Sequence, residues 1–206
     1  MTAIQILAVS PPFDRPAVGM RAARLLGLAE AMGLLPPSPP IHRLDREAFE
    51  APLQELARHG VGRQRGIQLL GADEAEMAEI LDGLYAELEA SPVPPDECRA
   101  LSGVLGQELL GRLAGVSISS LRRYEAGERT TPDDVAGRIH HLARIVSHLA
   151  GGYNEFGVRR WFARPRTQLG GRAPCDLLRG AAWNPDGGEA AAVLRLAEAI
   201  NSSPAT

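Results

Sequence analysis

The sequence predicts an all-α protein. Three observations carry this expectation. Apolar residues recur at three- and four-residue intervals through 17–34, 73–90 and 135–149. Asp, Thr, Pro and Gly stand where such stretches begin and end. Beyond the first nine residues, no alternating apolar–polar run points to a strand. The expected order is an N-terminal helical module over residues 1–92, a helix-turn-helix domain over 93–150, and a small helical domain over 151–206.

Residues 1–9, with Ile4, Ile6, Leu7 and Val9, read as a short strand or an extended arm, broken by Pro11, Pro12 and Pro16. Residues 17–34 follow as a helix, with Val18, Leu25, Leu26, Ala29 and Met32 on one face. The prolines of 36–40 end it and read as a stiff connector. Residues 45–58 are helical in composition, but Pro52 predicts a break or two short helices. Residues 73–90 are the clearest helix of the front half. Asp73 and Glu76 form a capping-box pair, and Met77, Ile80, Leu81, Leu84 and Leu88 form one stripe. A second proline-rich stretch, 91–95, reads as the domain boundary.

Short helices come next. Residues 95–105 turn Leu101, Val104 and Leu105 inward, and Gly106 interrupts. Residues 107–114 end at Gly115, which suits a left-handed turn. Residues 118–126 end at Gly127. Thr131 as N-cap, Pro132 at the first helical position and Asp133-Asp134 in the first turn start a long helix to about 150. Its inner stripe is Val135, Ile139, Leu142, Ile145, Val146 and Leu149. Residues 154–163, 174–180 and 188–201 read as three further helices.

Composition excludes some classes. All 22 basic residues are arginine, against 25 acidic ones, and the net charge of -3 argues against a general polyanion coat. The charge is unevenly spread. Residues 1–95 hold 8 Arg and 13 acids, whereas residues 151–206 hold 7 Arg and 5 acids. A polyanion partner is therefore expected at the back half. The lysine-free usage reflects genome composition more simply than function. No basic segment precedes a long apolar run near the start, so no signal peptide and no membrane span are expected, and a cytoplasmic location is. Cys98 and Cys175 make no disulfide framework.

The informative stretch is 107–129. A helix-turn-helix needs a small residue in its first helix, a glycine-containing turn and an apolar residue after it. Ala114, Gly115 and Val116 supply the turn; Leu109, Leu110, Leu113, Val116, Ile118 and Leu121 are expected as its apolar contacts. The second helix would expose Ser119, Ser120, Arg122 and Arg123, with Tyr124 near its end and Arg129 just beyond. Arginine can grip guanine or phosphate with two parallel bonds, and serine can donate to either. Ser117 is placed to cap the helix. The plainer alternative is a helical hairpin with solvated arginines.

The stretch L-A-G-V-S-I-S-S-L-R-R-Y-E-A-G-E-R resembles the helix-turn-helix of Xre-type repressors, and also the opening of MerR proteins. Downstream, Trp161-Phe162, Pro165, Leu169-Gly170-Gly171, Pro174 and Asp176-Leu177-Leu178 form a series similar to the toxin-binding domain of Xre/MbcA/ParS-type antitoxins. The resemblance covers about residues 96–200. It implies a DNA-binding antitoxin and autorepressor of a type II toxin–antitoxin operon, acting as a homodimer on double-stranded operator DNA. It also implies a partner, a RES-domain toxin that consumes or transfers NAD, and no cofactor or metal of its own. Ser117, Ser119, Ser120, Arg122, Arg123, Tyr124 and Arg129 would then face DNA, and Arg159, Arg160, Trp161, Arg164 and Arg172 would face the toxin. Physically, most of the second motif reads as scaffold: Trp161 as an anchor, Gly170-Gly171 as a turn, Pro174 as a helix start. Arg159, Arg160, Arg164, Arg166 and Arg172 read as its exposed members. Residues 1–95 have no counterpart in that family, and residues 179–188 are longer and looser than its usual link.

Other chemistry finds little footing. His140, His141 and His148 lack the spacing of a zinc motif and read as surface or partly buried structural residues. Cys175 at a helix start is expected to have a lowered pKa but has no base beside it. No phosphate loop is present, so an enzyme is not expected. Two alternatives stay open: a MerR-like or other one-component regulator without a toxin partner, and an adaptor whose helix-turn-helix no longer binds DNA.

Overall fold

The structure, a computed structural model, describes residues 4–35, 41–69 and 71–202. The fold is all-α with one small sheet. The chain divides into two compact units, Met1–Ser91 and Pro92–Thr206.

The first unit opens with β1 (Ile4–Val9), α1 (Pro16–Ala31) and β2 (Ile41–Leu44). β1 and β2 pair in parallel, with Ala8 opposite Arg43 and Val9 opposite Leu44. Parallel strands need a crossover, and α1 lies between these two in sequence. β2 was not expected: four residues, Ile-His-Arg-Leu, carry too little alternation to be seen locally. The proline run 36–40 lies outside the described residues, and α1 already ends at Ala31. Next come α2 (Arg46–Arg58), α3 (Arg65–Leu69) and α4 (Glu74–Glu89).

Helix α2 corrects the expected break, because Pro52 lies inside one continuous helix. Proline there loses one backbone bond. Asp45 caps the short stretch before it, accepting from Ala48 N at 2.9 Å, and Phe49, Pro52, Leu53 and Leu56 are all buried. Helix α4 carries its capping box as expected: the Asp73 side chain accepts from Glu76 N at 3.0 Å, and the Glu76 carboxylate accepts from Asp73 N at 3.2 Å. The core forms where α1 packs on α4, with Val18, Leu25, Leu26, Ala29 and Met32 buried alongside Met77, Leu81, Leu84 and Leu88. Arg24 stacks over the Tyr85 ring at 3.8 Å.

The second unit contains α5 (Pro94–Leu105), α6 (Gln107–Ala114), α7 (Ile118–Glu125), α8 (Asp133–Ala150), α9 (Glu155–Ala163), a 3-10 turn (Thr167–Leu169), α10 (Pro174–Leu177) and α11 (Gly188–Ser202). The prolines of 91–95 are in part a helix start, since Pro94 opens α5 behind Val93. Helix α8 begins one residue later than expected: Pro132 is extended and serves as N-cap, leaving Asp133 and Asp134 in the first turn. α10 is also shorter than the expected 174–180.

Helix α8 is the axis of this unit. It packs against α5, α6, α9 and α11, so it is buried nearly all round. That explains its histidines. His140, His141 and His148 are buried rather than at the surface. His140 Nδ1 lies 2.6 Å from Glu97 Oε1, and Glu97 on α5 is itself buried. His141 Nε2 is 3.2 Å from the Ala190 carbonyl, so that nitrogen carries the proton.

Candidate nucleic-acid interface

Helices α6 and α7 meet at a turn that glycine makes possible. Gly111 is buried, and a Cβ there would stand 2.9 Å from the Val116 carbonyl oxygen. Gly115 adopts φ +73, and a Cβ there would stand 2.5 Å from the backbone of Gly180 and Ala181. Both contacts forbid a larger residue: Gly111 lets the turn and α7 close on α6, and Gly115 lets the segment at Gly180 and Ala181 close on the turn. Leu110, Leu113, Ala114 and Leu121 fill the space between, with Leu109 and Val116 half-buried.

The carboxyl end of α6 leaves carbonyls without helical partners. Three donors from distant parts of the chain satisfy them. Gly180 N–H donates to Arg112 O at 2.9 Å, the Trp183 indole N–H to Leu113 O at 2.7 Å, and Arg138 Nε to Ala114 O at 2.9 Å. Arg138 also donates to Ala181 O at 3.3 Å and to Asp134 at 2.9 Å. That bond holds the Asp134 carboxyl below its usual range. Trp183 packs edge-on to His141, with ring centroids 5.5 Å apart. Burial pushes His141 down to about 4, so it is neutral at physiological pH. The loose segment 179–188 therefore has a definite task here: it fastens the turn between α6 and α7.

Helix α7 is pinned at its other end. Glu125 accepts from Ser102 Oγ and from Gln107 Nε2, the latter at 3.5 Å, while its carbonyl accepts from Arg99 at 2.9 Å. Ser117 caps α7 as expected, its Oγ accepting from Ser120 N at 3.1 Å. The same hydroxyl donates to Ser120 Oγ at 3.0 Å, so the two serines are tied together.

The exposed face of α7 brings together Ser119, Arg122 and Arg123. Arg122 Nε donates to Gln107 Oε1 at 3.2 Å, which holds its guanidinium beside the start of α6. Arg129 is exposed, its guanidinium 5.9 Å from the centre of the Tyr124 ring. Two expectations are corrected. Tyr124 is only 3% exposed and belongs to the core, because it falls on the inward face one turn after Leu121. Ile118, expected as a core contact, is 36% exposed at the first position of the helix. Apolar spacing alone places it in the core, and Gln107, to which that spacing gives no role, supports Arg122 on this face.

The segment after α8 keeps its residues as scaffold. Trp161 is 2% exposed and stacks edge-on against Phe162, so it is not a contact surface. Arg166 reaches over its ring at 5.4 Å. Gly170 and Gly171 both take positive φ, and Leu169, Pro174, Leu177 and Leu178 are buried. Arg159 is half-buried, donating to Val104 O at 2.7 Å, and so joins α9 to α5. Arg172 pairs with Glu189 at 2.8 Å. Arg160 and Arg164 are exposed, and Phe156, 63% exposed, lies four residues before Arg160 on α9. Phe156 was not anticipated, since a lone apolar residue in the first turn of a helix carries no periodic signal.

Cys175 departs from expectation. Partial burial and the neighbouring Asp176 carboxylate raise its thiol rather than lower it, and α10 is one turn long. Among the described residues, no cluster of three His, Cys, Asp or Glu side chains is placed to hold a metal ion. Among the same residues, no helix is long and apolar enough to cross a membrane. No family model matches the chain, and no curated protein or solved structure matches it.

Proposed function

We propose that the chain is a DNA-binding antitoxin and transcriptional autorepressor of a toxin–antitoxin operon, and that it neutralises a RES-domain toxin. One observation carries the DNA-reading part. Helix α7 turns Ser119, Arg122 and Arg123 outward, while Gly111, Gly115 and the Trp183 segment lock its junction with α6 from behind. A rigid helix with guanidinium and hydroxyl groups on its free face suits the major groove, where such groups pair with base edges and phosphates. The proposed DNA-binding form is a homodimer, because one short recognition helix covers too little DNA for useful specificity. Support for the toxin partner is the series from Trp161 to Leu178, whose resemblance to antitoxins sits beside exposed Arg160, Arg164 and Phe156.

The test is a gel shift on the promoter of the chain's own operon. The wild type should retard it, and an Arg122→Ala/Arg123→Ala variant should not. Equal retardation by both would remove α7 as the recognition helix. Co-purification with the product of the adjacent gene tests the partner. A stoichiometric complex with a RES-fold protein is expected; a small-molecule effect on DNA affinity without such a complex would favour a one-component regulator.

A further inference from the structure

We infer that Ile118 reads a thymine, making apolar contact with its C5-methyl group in the major groove that faces α7. The inference rests on the DNA-binding reading above and adds a base to it.

Within α6, the turn and α7, Ile118 is the exposed large apolar side chain among the described residues. Leu121 and Tyr124 are the buried residues of α7, and Ile118 keeps about a third of its surface open to solvent. Single exposed apolar residues are ordinary on protein surfaces. This one differs in its surroundings. Ser119 follows it, and Arg122 lies one turn later on the same face. Arg122 is itself steadied by Gln107. A protein partner would seek a contiguous apolar patch, whereas the exposed residues beside Ile118 on α7 and its cap, Ser117, Ser119, Arg122 and Arg123, are polar.

The base edges offer a match. In the major groove, donors and acceptors are joined by one apolar group, the thymine C5-methyl, which cytosine lacks. A face that alternates hydroxyl, isoleucine and guanidinium has the same mixed chemistry. Isoleucine also suits the task because it has few rotatable bonds, so little side-chain entropy is lost on contact.

The experiment uses the full chain and a pool of random-sequence duplexes. The bound fraction is selected and sequenced, and each thymine of the selected site is replaced singly by deoxyuridine, which removes only the methyl. Losing one buried methyl is worth about a fourfold change in affinity. The wild type should lose that factor at one thymine per half-site. The Ile118→Ala variant should bind thymine and deoxyuridine at that position equally well while still unfolding in a cooperative melting transition above the assay temperature. Salt-dependent DNA binding with no methyl-sensitive thymine overturns this inference alone, as does a methyl effect that persists unchanged in Ile118→Ala. Absence of any salt-dependent DNA affinity overturns both the inference and the reading beneath it.

Discussion

The indole N–H of Trp183 donates to the carbonyl oxygen of Leu113 at 2.7 Å, across 70 residues of chain. Leu113 is the penultimate residue of α6, and Trp183 stands in a segment with no regular structure of its own. The bond is buried, so a residue with no donor would strand the carbonyl. Trp183→Phe keeps most of the ring and removes the donor. It should cost about 1–3 kcal/mol, the penalty of an unpaired buried polar group. Urea unfolding of the wild type and the variant reads this directly. A variant as stable as the wild type would show that the bond does not hold the turn.

The glycines offer an internal comparison. Gly115 and Gly127 both take positive φ, but only a Cβ at Gly115 meets a neighbouring backbone, at 2.5 Å. Gly127→Ala should cost about 1–2 kcal/mol, the price of left-handed backbone for a residue with a Cβ. Gly115→Ala adds the collision with Gly180 and Ala181 and should cost clearly more. Paired denaturation curves check the difference. Equal losses would mean that segment 179–188 yields freely.

Acid should weaken the second unit through His141. Its folded-state pKa, about 4, lies below the ordinary 6.5 because the ring is buried. Between those values the unfolded chain takes up a proton and the folded chain does not. Stability therefore falls as pH drops from about 6.5 to about 4, by up to about 3 kcal/mol, and this contribution levels off below. In His141→Gln that limb should flatten. An unchanged acid limb in the variant would assign the acid sensitivity to other groups.

On α9, stability and binding should separate. Trp161→Ala empties a core position and should cost about 3–5 kcal/mol. Phe156→Ala and Arg160→Ala alter exposed side chains and should change stability by less than about 0.5 kcal/mol. They should nevertheless weaken capture of the proposed RES-domain partner. Pull-down beside a melting curve distinguishes these effects; if Phe156→Ala and Arg160→Ala capture that partner as well as the wild type, its contact face lies elsewhere.

What could be read from sequence was local. The Asp73–Glu76 box, the Gly115 turn and the Ser117 cap each depend on neighbours within a few residues, and each stands where the pattern put it. What could not be read depends on distant partners. β2 exists because β1 lies beside it. Pro52 is tolerated because its face is buried. Ile118 and Tyr124 differ in fate through the rotation of α7 against α6, which no count of apolar residues specifies. The clamp of Gly180, Trp183 and Arg138 on α6 joins three segments that share no motif.

If α7 meets the DNA backbone and bases through Arg122 and Arg123, its affinity must respond to salt. Affinity for the selected duplex is measured by fluorescence anisotropy across a range of salt concentrations. Each lost phosphate contact lowers the slope of log affinity against log salt by about 0.9, so Arg122→Ala/Arg123→Ala, which removes two arginines from each subunit of the proposed dimer, should lower it by up to about 3.6. A double variant with the affinity and slope of the wild type would contradict the account.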